Sequence, residues 1–301
     1  MHRLLRVVFL AALMMGGPGD RARAQDAWWH SLLDSSARVY SIEGLDGPEA
    51  VRFDPDQDVW FVANFSGDPG IRDGNGFVSR VDARTGAVED LRFATGTALE
   101  PLHAARGMFI TGDTLWVNDI DGVHAFDRLS GAHLGFVDLS PFDPGFLNDI
   151  TLGPDAALYV TDTDRSAMYR IAGRNVSIAA RGEQLHGPNG VTWVPELGGL
   201  VLVPWRPGGS VTIWSPERGP RALGDFGGAG RMDGVEWLEG RLLVASQTDS
   251  TLYAVSPTSS LPVVRVGAAP ADIGVDPRRR LVAVPFVGED RVDVWRLSGG
   301  R

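Results

Sequence analysis

The stretch Pro188-Asn189-Gly190-Val191, with the apolar run Leu200–Trp205 behind it, is one copy of a unit that occurs six times along the chain. The other openings are Pro48-Glu49-Ala50-Val51, Ala105-Arg106-Gly107-Met108, Leu147-Asn148-Asp149-Ile150, Met232-Asp233-Gly234-Val235 and Pro270-Ala271-Asp272-Ile273. The apolar runs begin at residues 59, 114, 157, 200, 242 and 281, so the unit repeats every 39 to 55 residues. Strand-built repeats of about 40–45 residues are typical of propeller blades. The sequence therefore predicts an all-β fold, a six-bladed β-propeller of four-stranded antiparallel blades.

Each unit also contains a third strand in which polar and apolar residues alternate, as they do in a half-exposed strand. These strands are predicted at Gly76–Asp82, Gly122–Asp127, Ala167–Ala172, Ser210–Trp214, Thr251–Ser256 and Arg291–Leu297. The sixth unit has no room for a fourth strand, whereas Ala37–Glu43 has strand character and precedes the first unit. We predict that Ala37–Glu43 pairs beside Arg291–Leu297 and closes the ring, which removes exposed sheet edges.

The first residues have the pattern of a secretory signal peptide. Arg3 and Arg6 precede the apolar run Val7–Met15, and Ala22-Arg23-Ala24 offers a small-x-small cleavage site. The apolar run is too short to cross a hydrocarbon layer of about 30 Å. We therefore expect residues 1–24 to be a signal peptide and residues 25–301 to form a single propeller domain. The absence of cysteine leaves no thiol for a lipid anchor, so we expect an exported, periplasmic protein without membrane insertion after cleavage.

Composition narrows the chemistry. The formal charge of −10 argues against nucleic acid and favours a cation or a neutral small molecule as partner. All 28 basic residues are arginine and there is no cysteine, which excludes Schiff-base and thiol nucleophiles. No serine-hydrolase elbow, zinc-protease helix motif, P-loop or dinucleotide fingerprint occurs. The remaining candidates are carboxylates, amides, hydroxyls, histidines and a bound metal.

The six openings, placed in register, define an axial column of residues. In a propeller the first strand of each blade is innermost, so the opening residue points towards the mouth of the central channel. The column consists of Glu49, Arg106, Asn148, Asn189, Asp233 and Ala271. Four members offer only oxygen ligands, which suits one divalent cation, Ca²⁺ above all, with Mg²⁺, Mn²⁺ and Zn²⁺ as alternatives. The other interpretation is that these residues bond neighbouring loops and channel water.

Further candidates surround the column. The second strands end on the same face, at Asn64, Asp119, Asp162, Trp205 and Gln247, where the residues either join the site or only pack and form turns. The long loop Phe65–Asn75 is either a lid or an ordinary insertion. Gly190 and Gly234 would let the backbone come close to the axis.

At this column the sequence resembles the gluconolactonase / regucalcin (senescence marker protein) family of six-bladed propellers. The family's metal-binding glutamate matches Glu49, its metal-binding asparagine matches Asn189 in an Asn-Gly motif, and its metal-binding and catalytic aspartate matches Asp233 in an Asp-Gly motif. A further active-site asparagine matches Asn148 in an Asn-Asp motif. Family members often carry an arginine two residues before that motif, where this chain has Phe146. Arg106 could reach the same cavity instead.

The resemblance implies a metal-dependent hydrolase of lactones or related esters that acts on a small-molecule substrate. The cation bound by Glu49, Asn148, Asn189 and Asp233 would polarise the carbonyl, and Asp233 would accept the proton of water. Arg106 or Asn148 would stabilise the oxyanion. The alternative function is a non-enzymatic binding platform with a structural metal in the channel, since propellers also serve in that way.

Overall fold

The computed structural model describes residues 28–32, 36–223 and 230–298. Within these residues, twenty-four strands form six four-stranded antiparallel sheets, which confirms the predicted six-bladed β-propeller. The first strand, Ala37–Ile42 (β1), belongs to the last blade. Blade 1 comprises Pro48–Asp54 (β2), Val59–Asn64 (β3), Phe77–Asp82 (β4) and Val88–Thr95 (β5). Blade 2 comprises Met108–Thr111 (β6), Thr114–Asn118 (β7), Gly122–Asp127 (β8) and His133–Asp138 (β9).

The other four blades follow in chain order. Blade 3 comprises Leu147–Leu152 (β10), Leu158–Asp162 (β11), Ala167–Ala172 (β12) and Asn175–Arg181 (β13). Blade 4 comprises Pro188–Val194 (β14), Gly199–Pro204 (β15), Thr212–Ser215 (β16) and Gly219–Ala222 (β17). Blade 5 comprises Met232–Leu238 (β18), Arg241–Ser246 (β19), Thr251–Ser256 (β20) and Ser259–Arg265 (β21). Blade 6 comprises Gly274–Asp276 (β22), Leu281–Phe286 (β23), Arg291–Arg296 (β24) and β1.

Burial explains the sequence pattern of the strands. The second strands β3, β15, β19 and β23 are buried along their whole length, because neighbouring blades cover both of their faces. Their residues are accordingly almost all apolar, as expected of strands without a solvent face. The outermost strand β13 is largely exposed and carries polar residues. The short 3₁₀ helices lie between strands, at Ser140–Phe142, Glu183–Leu185, Pro195–Leu197 and Val287–Glu289.

The ring closes as predicted. Strand β1 pairs antiparallel with β24, from Ala37 opposite Arg296 to Ile42 opposite Val292. The Ser41 hydroxyl also donates to Asp293 Oδ1 at 2.6 Å. The closing strand ends one residue earlier than predicted, at Ile42, and the predicted strand Ser210–Trp214 is observed as Thr212–Ser215.

A short helical segment, residues 28–32, precedes the closing strand. Trp29 and Leu32 of this segment are buried and pack against apolar residues of blades 5 and 6, including Leu238 and Val282. No helix in the described ranges is long and apolar enough to cross a membrane. The segment predicted to be a signal peptide, residues 1–24, lies outside the described residues.

Candidate functional site: an oxygen-lined cavity at the channel mouth

Four of the axial column residues lie at irregularities in the inner strand of their blade. The pairing register shifts between Pro48 and Ala50, and again where Asn148, Asn189 and Asp233 stand in β10, β14 and β18. Bulges of this kind re-aim a side chain that regular alternation would send between the sheets. They therefore allow a polar residue to face the channel mouth while its apolar neighbours enter the core.

Close contact between inner strands accompanies these bulges. A Cβ atom on Gly190 would overlap the backbone of Asp233, and one on Gly234 would overlap that of Ile273. Glycine is required at both positions because neighbouring blades leave no space for a side chain. The expected close approach of the backbone at Gly190 and Gly234 is thus observed, and it occurs between adjacent blades.

The structure brings the four predicted metal ligands to one cavity. The cavity has a volume of about 200 Å³ and opens to solvent beside the exposed residue Asp164. Its lining consists of Glu49, Phe65, Phe146, Asn148, Thr163, Asp164, Asn189, Trp205, Asp233, Gln247, Ala271 and Val287. All four predicted ligands are at most 4% exposed. Polar side chains buried this deeply normally have hydrogen-bond partners.

Each of these four side chains nevertheless has one oxygen atom without a partner. Among the described residues, no hydrogen bond reaches Glu49 Oε2, Asn148 Oδ1, Asn189 Oδ1 or Asp233 Oδ1. An unsatisfied buried polar atom costs about 1–3 kcal/mol, and more when it is charged. Four such atoms in one cavity point to a ligand that supplies positive charge or hydrogen-bond donors.

Neighbouring side chains fix which oxygen remains unpaired. Asn148 donates through Nδ2 to Thr163 Oγ1 at 3.2 Å, which leaves Oδ1 unpaired. Gln247 donates through Nε2 to Asp233 Oδ2 at 2.7 Å, which leaves Oδ1 unpaired. Asn189 also makes a side-chain hydrogen bond with Asp233. The side-chain oxygens of Asn148, Asn189 and Asp233 are therefore held in place by the protein itself.

Burial and mutual repulsion oppose ionisation of the two carboxyl groups in the cavity. Burial raises the pKa of Glu49 well above its ordinary value, and the charges of Asp233 and Asp149 raise it further. Burial, followed by the charge of Asp149, raises the pKa of Asp233 to about 7, although hydrogen bonds from Gln247 and Asn189 oppose this shift. Both shifts have the same physical origin, since carboxylates that share a dry site repel one another and lose hydration.

This donor set fits a divalent cation. Carboxylate and amide oxygens are the ligands that Ca²⁺ takes in proteins, and the held orientation of Asn148 and Asp233 is what supporting hydrogen bonds supply at metal sites. Within residues 28–32, 36–223 and 230–298, no group of three or more His, Cys, Asp and Glu side chains could hold a metal ion. The candidate site is therefore a mixed one, with two carboxylates and two amides.

Arg106 lies beside the cavity in a different role from the other column residues. Its guanidinium is buried against the ring of Phe146, 3.7 Å from the centroid, and donates to Leu147 O at 2.7 Å and Pro69 O at 2.5 Å. Burial lowers the pKa of Arg106 to about 10, while the charge of Glu49 acts in the opposite direction. Arg106 thus joins the loop that contains Pro69 to Leu147 at the start of β10. The last column residue, Ala271, lines the cavity without a polar group.

The rim candidates divide into two groups. Trp205 and Gln247 line the cavity. The side chains of Asn64, Asp119 and Asp162 instead bond nearby backbone groups, among them Asp46 N, His103 N and Phe146 N. These three residues hold the loops that precede the inner strands. Asn64, Asp119 and Asp162 at the strand ends therefore have a structural role, as the turn-forming interpretation expects.

Two features of the site have no signal in the sequence repeat. Phe65, Phe146 and Val287 form apolar walls, and they come from loops whose position depends on the assembled ring. Below the cavity, Arg52 of β2 reaches across the channel to form ion pairs with Glu236, with Asp272 at 3.2 Å and with Asp149 at 3.6 Å. Burial alone would lower the pKa of Arg52, but these carboxylates raise it. In the sequence, Arg52 is recognisable only as a polar residue within the alternating pattern of β2. That pattern does not indicate its partners on other blades.

Comparison with known proteins identifies a fold and no sequence family. No family model matches the chain, and no curated protein matches it. A gluconolactonase from Xanthomonas campestris is similar in structure at 13% identity, with a TM-score of 0.67 over 89% of this chain and 91% of that chain. The PQQ-bound aldose sugar dehydrogenase from Streptomyces coelicolor aligns at 14% identity, with a TM-score of 0.60 over 87% and 98% of the two chains.

A virginiamycin B lyase from Staphylococcus aureus, in a catalytically inactive form with quinupristin, aligns at 14% identity and a TM-score of 0.59 over 86% and 99% of the two chains. At such identities the similarity establishes the propeller fold alone. The same fold carries unrelated chemistries in these neighbours, so function has to be argued from the site.

Proposed function

We propose that this protein is a divalent-cation-dependent hydrolase of lactones or related esters. The observation that carries the proposal is the set of four buried, unpaired oxygens on Glu49, Asn148, Asn189 and Asp233 at one solvent-connected cavity. In a purely structural column these atoms would bond protein groups or ordered water, whereas a single cation would give all four of them a partner. The resemblance at the same residues to the gluconolactonase / regucalcin family, and a structural neighbour that is a gluconolactonase, also support it.

The four unpaired oxygens would hold the cation, with Ca²⁺ the best match to an all-oxygen set. Bound there, the cation would polarise the carbonyl of the substrate. Asp233, whose Oδ2 is fixed by Gln247, would accept a proton from the attacking water. Hydrolysis then joins the water oxygen to the carbonyl carbon, breaks the acyl C–O bond and returns the proton from Asp233 to the leaving alkoxide. The reaction consumes one water molecule for each ester bond broken and needs no other reactant.

The two residues predicted to stabilise the oxyanion have different surroundings. Asn148 lines the cavity, and the second hydrogen of its Nδ2, whose first bonds Thr163, would be the donor to the developing charge. Both Nη groups of Arg106 donate to backbone carbonyls, and its Nε has no partner among the described atoms. We therefore assign Arg106 a positioning role for the loop at Pro69, together with a favourable charge near Glu49.

We also propose that the protein is exported, on the pattern of residues 1–24. This proposal is independent of the chemistry. Expression of the full chain fused to a reporter that is active only outside the cytoplasm tests it, and deletion of residues 1–24 should abolish the signal. Reporter activity that survives the deletion would refute export through this segment.

The function is tested with a panel of lactones and aryl esters, assayed with Ca²⁺ and with a chelator. We expect turnover that the chelator abolishes and Ca²⁺ restores, and that falls at least about a hundredfold in Asp233→Asn. Asp143→Asn is the matched control, because this carboxylate is 88% exposed and pairs with Arg165 on the surface. Bound Ca²⁺ without turnover on the whole panel would refute the hydrolase and favour the binding platform.

A further inference from the structure

The walls of the cavity differ chemically from its floor. The unpaired oxygens form the floor, whereas the walls are built from Phe65, Phe146, Trp205 and Val287. Trp205 and Phe146 are only partly buried and both line the cavity, with Arg106 covering one face of the Phe146 ring. A molecule in this cavity would thus meet oxygen ligands at one end and apolar surface around the rest.

The charged groups of the lining are all acidic. They are Glu49, Asp164 and Asp233, and no arginine contributes to the lining. Arg106 is covered by the ring of Phe146, and Arg206 on the neighbouring loop is paired with Glu183. Arg231 lies over the Trp205 ring, 5.9 Å from its centroid, and is not part of the described lining. Among the described lining residues the charges that a substrate carboxylate would meet are therefore acidic, and Asp164 at the rim would repel it.

The apolar walls also disfavour a polyhydroxylated ring. Each hydroxyl placed against Phe146 or Trp205 would lose its water without gaining a partner, at a cost in binding. A site that recognises sugar hydroxyls needs polar groups at matching positions, and beyond the floor those of the described lining are Thr163, Asp164, Gln247 and the indole N–H of Trp205. Thr163 and Gln247 are already engaged with Asn148 and Asp233.

We infer that the substrate class is a small, neutral lactone or ester with an apolar substituent, rather than a sugar lactone or a carboxylate-bearing one. The inference rests on the proposed function and deepens it. The carbonyl end would face the oxygen floor, and the substituent would lie against Trp205 and Phe146. The volume of about 200 Å³ lies below the 300–1,000 Å³ typical of drug-sized ligands, which limits the substrate to one ring with a short chain.

The test compares δ-decanolactone with δ-gluconolactone, which share a six-membered lactone ring and differ in polarity outside it. The slowly hydrolysed lactams of the same two skeletons measure binding separately, by calorimetry on the Ca²⁺-loaded protein. We expect the decanolactam to bind at least about tenfold more tightly than the gluconolactam, because burial of its chain is favourable. Decanolactone should likewise have the higher kcat/KM.

Variants of Trp205 locate the effect. Trp205→Ala should weaken decanolactam binding by roughly tenfold or more and leave gluconolactam within about threefold, whereas Trp205→Phe should retain most of the preference. Trp193→Ala is the matched control, since Trp193 borders a separate hollow at the opposite end of the blades. It should leave both lactams unaffected.

The outcomes separate the two proposals. Chelator-sensitive turnover with δ-gluconolactone as the better substrate would overturn the inference and leave the hydrolase standing. Preferential decanolactam binding without hydrolysis of either lactone would support the apolar ligand class and refute the hydrolase. Equal losses of both lactams in Trp205→Ala would overturn the inference, because the wall would then not discriminate between them.

Discussion

Asn148 and Thr163 are joined by a hydrogen bond of 3.2 Å from the amide of one to the hydroxyl of the other, and the same hydroxyl donates to Pro188 O at 2.9 Å. The Thr163 side chain, directly after β11 of blade 3, therefore orients the Asn148 amide and also holds β14, the strand that carries Asn189. Two candidate ligands from different blades thus depend on a single hydroxyl group.

Replacement of that hydroxyl should weaken cation binding. In Thr163→Val the Asn148 amide loses its acceptor and can rotate, so we expect Ca²⁺ affinity to fall about 10- to 100-fold, as for other groups that orient metal ligands. Calorimetric titration of chelated protein with Ca²⁺ measures the change. Thr212→Val is the control, since Thr212 is buried to a similar degree and its hydroxyl donates within its own blade, to Ser210 O. Equal affinities of the two variants would contradict the role of Thr163.

Neutralisation of Glu49 should have opposite effects with and without cation. Ca²⁺ at a hundred times its Kd should stabilise the wild-type protein by about 2.7 kcal/mol, or roughly 5–10 °C in Tm for a chain of this size. Glu49→Gln should lose most of this gain. In chelator the same variant should melt at or above the wild-type Tm, because one of the mutually repelling buried carboxylates is gone.

The melting experiment is a differential scan of both proteins in Ca²⁺ and in chelator. Glu183→Gln is the control, because this carboxylate is 83% exposed and pairs with Arg206 outside the cavity. A Ca²⁺-dependent rise in Tm that is the same in Glu49→Gln and in the wild type would show that Glu49 is not a ligand.

The Arg52 ion pairs should be coupled in energy. Arg52→Met leaves Asp149, Asp272 and Glu236 without their cation and should reduce the free energy of unfolding by about 3–5 kcal/mol. Adding Glu236→Gln to this variant should restore part of the loss, with a coupling energy of about 1–3 kcal/mol in the double-mutant cycle. Urea unfolding measures all four proteins. If the effects of the two substitutions on the free energy of unfolding are strictly additive, Arg52 and Glu236 are not coupled, which would contradict this expectation.

Asp54 should contribute to the acid limb of stability. Burial on its own would raise the pKa of Asp54, but hydrogen bonds from Gln57, the Asp56 amide and Arg128 outweigh it and lower the pKa. A carboxyl whose pKa is lower in the folded state stabilises the protein above its unfolded pKa, about 3.9, and loses this contribution as the pH falls through the folded value.

The stability difference between wild type and Asp54→Asn should therefore be constant from about pH 7 to pH 5 and shrink below about pH 4. Urea unfolding over this pH series measures it. Asp56→Asn is the control, since Asp56 is 68% exposed and contacts the same Arg128. A difference that grows towards low pH would contradict the assigned direction of the pKa shift.

The sequence predicted the fold well because the second strands are buried on both faces. Runs such as Val59–Asn64 and Leu281–Phe286 are apolar throughout for that reason, and their spacing gives the number of blades. The unpaired closing strand could be assigned because a ring leaves one place for it. Strand limits were less exact where backbone pairing continues beyond the regular strand, as at Arg106, whose N–H still bonds Asn118 O ahead of β6.

The site was predictable only as far as it follows the repeat. Glu49, Asn148, Asn189 and Asp233 occupy equivalent positions, and register alone brings them to one cavity. The engagement of Arg106 with Pro69 O and the ring of Phe146 depends on how a loop folds over the blades. Such contacts between residues far apart in sequence have no local pattern, which is why Phe65, Phe146 and Val287 were not foreseen as walls, whereas Trp205 was a rim candidate.

The closing strand also sets the time at which the site can exist. Because β1 pairs with β24, a nascent chain on the ribosome has no closed ring until its last blade has emerged. Until then the bond from Asp272 N to Glu49 O, which joins blade 6 to the backbone of a candidate ligand, cannot form. Glu49 and Asp233 are synthesised well before that moment yet remain unlinked. Cation affinity should accordingly arise once β24 has emerged and paired with β1, and a chain truncated before β22 should have none.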